Sequence, residues 1–166
     1  MNQLENQTFA RMLEENRETT MKHFDRVRKV AIDVRRWAEK YVERRKQMYD
    51  EQLTGMCAIA AAELARRLVK EGIDDVELAM WEDDGCEAHV FVICHGHIVD
   101  VTATQYGATT GQKFLPVEIV RLEHAMNVLT QWTPMKFFKT PADLRKDQLA
   151  EGWPKEQVAL NRLVGA

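Results

Sequence analysis

Neither proline nor glycine occurs before Gly55, and the first proline is Pro116. Nothing therefore punctuates the first fifty residues as a linker. No run of 18 or more apolar residues is present, so no membrane-spanning helix is expected. The opening stretch MNQLENQTFARMLEEN is polar and acidic and lacks the apolar centre of a signal peptide. Cysteine is also sparse. Three residues, Cys57, Cys86 and Cys94, make an odd count without framework spacing, and read as free thiols in a reducing cytoplasm. There is no internal repeat and no low-complexity segment.

What is present suits one soluble domain: 166 residues, 45% apolar and 30% charged, enough to bury a sizeable core. The net charge of −3 conceals an asymmetry. Residues 21–46 carry ten Lys or Arg against four Asp or Glu, whereas residues 50–100 carry three against twelve. A basic segment of this kind suits nucleic acid or an acidic partner. Here the acids are interleaved with the bases, which favours a solvated face of a charged helix over a nucleic-acid site.

The organisation is α+β. Residues 1–50 read as a helical N-terminal arm, in two segments breaking near Glu18 to Thr20, packed on or extending from a core spanning 51–166. Phe24, Val27, Ala31, Val34, Ala38, Tyr41 and Met48 form one apolar stripe, widened by Val30 and Trp37. The arm is also a candidate homo-oligomerisation element. A second helix is predicted from Thr54, as N-cap, to Gly72, as C-terminal stop, with Cys57, Ala61, Leu64 and Leu68 on its inward face. Strand patterns follow at Val76–Glu82, Ala88–Cys94 and Ile98–Thr104. The first turn between them is Asp83-Asp84-Gly85 and the second is His95-Gly96. After a small-residue loop from Gly107 to Gly111, a Pro116-led helix is predicted over Val117–Met126. An extended piece is predicted around Lys136–Lys139, and helix starts at Thr140-Pro141 and Trp153-Pro154.

The chemistry gathers between Thr54 and Gln105. A two-residue turn at His95-Gly96 sets Ile93 opposite Ile98, Phe91 opposite Asp100 and His89 opposite Thr102 on one face. It sets Val92 opposite Val99 and Val90 opposite Val101 on the other. His89 and Asp100 then become diagonal neighbours within hydrogen-bonding reach, and a one-residue slip would separate them. A thiol must ionise to attack, and the first turn of a helix favours its anion. A protonated His89 stabilises that anion, while Asp100 orients the imidazole. The Cys57 amide is one candidate oxyanion donor and Gln52 a weaker second. Taken singly, Cys57 among alanines reads as packing and His89 as a core histidine. A carboxylate between Val99 and Val101, however, needs a partner. The three agree under one register.

Three segments carry a resemblance: Thr54-Gly55-Met56-Cys57-Ala58-Ile59-Ala60-Ala61-Ala62-Glu63-Leu64, Ala88-His89-Val90-Phe91, and Ile98-Val99-Asp100-Val101-Thr102-Ala103-Thr104-Gln105-Tyr106. Together they resemble compact transglutaminase-like and papain-like cysteine proteins, many of them bacterial or phage-encoded. The family pattern runs Gly-x-Cys-x-x-Ala-Ser, then His, then Asp-x-Thr-Ala-x-Gln-Phe. The resemblance implies a papain-like α+β core with nucleophile, base and orienting acid at Cys57, His89 and Asp100. It implies no cofactor, and a glutamine or peptide bond of another protein as substrate. The chain departs from the pattern at Ala62, where the family often has Ser, and at Val90-Phe91, where it has Trp soon after the histidine.

Two other readings compete. Cys94-His95-Gly96-His97, with Cys86 or His89, invites a metal site. It lacks a second well-spaced pair, and adjacent strand residues point to opposite faces, so no metal is expected. The chain could instead be a non-catalytic interaction protein docking a partner through its basic arm.

Overall fold

The computed structural model describes residues 24–45, 53–82, 88–106, 113–123 and 136–160. Residues 24–43 form helix α1. Its predicted stripe is the buried face: Phe24, Val27, Ala31, Val34 and Ala38 are buried, joined by Val42, while Tyr41 is half-buried. Met48 and the predicted break near Glu18 to Thr20 lie outside the described residues.

Helix α2 spans Cys57–Lys70 and starts three residues later than Thr54. Thr54 and Gly55 form a turn, and Met56 is the N-cap without a side-chain hydrogen bond. Burial explains the shift. Leu53 and Met56 are both fully buried, and the turn that tucks them in needs positive φ at Leu53 (65°) and Gly55 (79°). Met56 N–H donates to the Leu53 carbonyl at 3.0 Å. The far end is as expected. With Gly72 at φ 74°, Gly72 N–H donates to Val69 O and Ile73 N–H to Leu68 O, each at 3.0 Å. These bonds satisfy carbonyls that the helix leaves open.

Among the described residues, five strands make one antiparallel sheet in the order β4-β3-β2-β1-β5. They are β1 Val76–Glu82, β2 Ala88–Cys94, β3 His97–Asp100, β4 Glu118–Arg121 and β5 Lys136–Phe138. The β2–β3 turn is His95-Gly96, with φ of 47° and 71°, the doubly positive geometry that matches strand twist. Its register pairs Ile93 with Ile98 and Val92 with Val99, as predicted. The turn predicted at Asp83-Asp84-Gly85 lies outside the described residues.

Two expectations fail. The third strand stops at Asp100 instead of running to Thr104. Val101 bends and Ala103–Tyr106 form a short 3-10 turn, so the ladder ends at Val92–Val99. The cause is local, since Thr102 N–H donates to Asp100 Oδ1 at 2.8 Å and draws the backbone off the ladder. The predicted helix Val117–Met126 is strand β4 over Glu118–Arg121, with only Leu122 and Glu123 helical among its described residues. Here pairing with β3, from His97–Arg121 to Asp100–Glu118, outweighs the local pattern. β-branched Ile119 and Val120 suit it.

The tail follows the first of its two helix signals but not the second. Thr140 caps helix α3, Pro141–Ala150, accepting from Asp143 N–H at 3.2 Å, and Pro141 occupies the first turn. Trp153-Pro154 leads into a single 3-10 turn, Lys155–Gln157.

The sheet's two faces differ. Leu78, Met80, Val90, Val92, Cys94, Val99 and Val101 share one core with α1 and α2. Ala79, Phe91, Ile93 and Ile98 form a smaller cluster with Trp81 and Leu122. By alternation His89 belongs with the second set.

Candidate active site

The site begins in the loop that feeds α2. A Cβ on Gly55 would stand 3.2 Å from Gln157 Nε2, so glycine serves both the positive φ and the close approach of that side chain. The loop delivers Cys57 to the first turn of α2, 5% exposed, with its Sγ 4.0 Å from the Ala88 carbonyl. Met56 makes no side-chain cap and no acidic residue stands in the first turn, so the helix end keeps its preference for negative charge.

His89 follows Ala88 on β2. It is 1% exposed and lies directly across the ladder from Trp81, with ring centroids 5.2 Å apart. Tyr106 meets it edge-on at 4.9 Å, and the Phe91 ring is 5.9 Å away. These rings help leave the imidazole almost fully buried, which makes its polar partners decisive.

The first partner is Asp100. His89 Nε2–H donates to Asp100 Oδ2 at 2.6 Å. The other carboxylate oxygen, Oδ1, accepts from Thr102 N–H at 2.8 Å and Thr102 Oγ1 at 3.2 Å. Burial alone would push the His89 pKa down. The charge and hydrogen bond of Asp100 outweigh it, Cys57 adds a smaller part, and the pKa is pushed up to about 10. For Asp100, burial would raise the pKa, but His89 and Thr102 hold the carboxyl below its ordinary range. Both shifts favour an imidazolium–carboxylate pair at neutral pH.

The second partner is Gln105, whose Nε2 lies 3.5 Å from His89 Nδ1, the nitrogen that Asp100 leaves open. A carboxamide offers Nε2–H to a bare Nδ1 and, after a flip, Oε1 to Nδ1–H. Thus His89 and Asp100 meet, and Cys57 lies near enough to His89 to contribute to its electrostatics. Gln52 and Cys86 lie outside the described residues.

Two residues escaped that reading. Gln105 was visible only as part of a motif. Arg35, 8% exposed, was counted among the solvated bases of the arm. Its position four residues after Ala31 and three before Ala38 puts it beside the apolar stripe, which was the available signal.

The turn considered for a metal is occupied otherwise. Cys94 is buried, and burial, with lesser contributions from Asp75 and Asp74, pushes its thiol up to about 11. His95 Nε2 pairs with Asp74 at 3.2 Å, and His97 Nδ1 bonds the His95 carbonyl at 2.9 Å. Among the described residues, no group of three or more His, Cys, Asp or Glu is placed to hold a metal ion. No helix among them is long and apolar enough to cross a membrane.

The chain is therefore an α+β protein with a buried His-Asp pair beside a helix-terminal thiol. Comparison with family models, curated proteins and solved structures finds no match to it.

Proposed function

We propose that this chain is a thiol-dependent acyl-transfer enzyme of the papain-like or transglutaminase-like kind, acting on an amide bond of a protein in the cytoplasm. The observation that carries the reading is the 2.6 Å His89–Asp100 bond beside Cys57. The Cys57 thiolate adds to the carbonyl carbon, and the C=O electron pair moves to oxygen. The oxyanion is stabilised by the amide of Cys57 at the first turn of α2. Collapse breaks the C–N bond, and the leaving amine takes the proton from His89, giving a thioester and a neutral imidazole. His89 then removes a proton from water, or from a second amine, as it attacks the thioester and releases the thiolate. Asp100 keeps Nε2 engaged throughout, which leaves Nδ1 for the exchange.

Mass-mapped alkylation near neutral pH tests this. Iodoacetamide is expected to modify Cys57 well before Cys86 and Cys94, and His89→Ala to abolish the preference. Equal slow labelling of all three would defeat the reading. One observation favours a second reading, a non-catalytic protein docking a partner through its basic arm. Cys57 is only 5% exposed and His89 only 1%, as in a purely internal polar pair. Full biological effect in Cys57→Ala protein would favour it.

A further inference from the structure

Both nitrogens of His89 are addressed from one short segment, residues 100–105. Asp100 holds Nε2 at 2.6 Å, and Gln105 stands 3.5 Å from Nδ1. Asp100 still pairs with Glu118 of β4, but no ladder continues through residues 101–105, because β3 ends at Asp100. Its internal bonds are Thr102 N–H to Asp100 Oδ1 and Gln105 N–H to the Thr102 carbonyl at 3.1 Å. These shape the turn but do not tie it to the rest of the protein.

A further tie, beyond the Asp100–Glu118 pairing and the packing of Val101, comes from α1. Arg35 Nη1 donates to the Val101 carbonyl at 3.0 Å and to Thr104 Oγ1 at 2.8 Å. Its Nε donates to Glu39 Oε1 at 2.7 Å, one helical turn along. The guanidinium is thus braced on its own helix and grips residues 101 and 104, which flank the backbone between the two His89 partners. A buried arginine is costly to desolvate, and its fixed fork suits it to holding backbone and hydroxyl oxygens together.

We propose that Arg35 is a positioning residue of the candidate triad, anchoring residues 100–105 so that Asp100 and Gln105 both meet His89. The inference rests on the thiol-enzyme reading and deepens it. It also gives one base of the arm an internal task, distinct from partner docking. A loosened segment weakens the carboxylate's hold on the imidazole, which is what outweighs burial at His89.

The test follows His89 by nitrogen-edited NMR titration in the full-length protein, with mass-mapped iodoacetamide labelling of Cys57 in parallel. The wild-type midpoint is expected near 10. Arg35→Met keeps an apolar stem but no donor. It should lower the midpoint by about one unit or more and cut the preference for Cys57 over Cys94 by about tenfold, while unfolding stays cooperative. Arg35→Lys, able to reach one acceptor, should recover part of both. Thr104→Val removes one acceptor without touching α1 and should shift the midpoint the same way.

An unchanged midpoint and preference in Arg35→Met overturn the proposal. Should that variant not fold, an unchanged midpoint in Thr104→Val does so. Absence of any Cys57 preference in the wild type defeats the enzyme reading instead, and the clamp is then decided by the titration.

Discussion

At the scale of single residues, the His89–Asp100 pair links the site to stability. His89 has its pKa raised from 6.5 to about 10, so its contribution is full below about pH 6.5 and lost as pH rises through about 10. Asp100 is lowered from 3.8, so its contribution is present above that value and lost as pH falls below it. Asp100→Asn keeps the shape and removes the charge. The deficit in melting temperature against wild type should be largest between about pH 4 and 6.5 and should shrink toward pH 10. A deficit that is flat or grows with pH would contradict the ion pair. The His89–Asp100 contact was legible in the sequence because strand alternation and a two-residue turn decide which side chains share a face. Arg35 was not, since composition treats every base of a charged helix alike, and only the fold reveals which one meets the Val101 carbonyl.

Among the elements, α2 carries most of the placement. Leu68 is fully buried in its last turn and joins the core shared by α1 and the sheet. Leu68→Ala should cost about 2–5 kcal/mol in urea denaturation, from lost transfer energy and the cavity left behind. A loss below about 1 kcal/mol would mean that this end of α2 is not the anchor described. The strands β1 and β2 and the end of α2 could be read in advance, since alternation and a stop glycine are local signals. The start of α2 and the nature of β4 could not. The first depends on burying Leu53 and Met56, and the second on an edge offered by β3, eighteen residues away at its nearest end. Both are tertiary facts that override local preference.

For the whole molecule, the described part of the N-terminal arm is not an appendage. Phe24, Val27, Ala31, Val34, Ala38 and Val42 share one core with Leu64, Leu68, Val90 and Val92. A chain lacking residues 1–45 should therefore lose cooperative unfolding, as followed by circular dichroism during heating. A sharp melt from that truncated chain would show that the remainder folds alone. The sheet order, with β5 beside β1, had no counterpart in the sequence reading, because edge pairing depends on which strands the helices leave open. The two oxygens of Asp100 divide their labour, since Oδ1 turns the chain off the sheet and Oδ2 seizes the imidazole. The end of β3 and the hold on His89 are therefore set by one side chain. A relative without any catalytic activity would still have reason to keep that carboxylate as a piece of architecture, so its presence alone is poor testimony of activity.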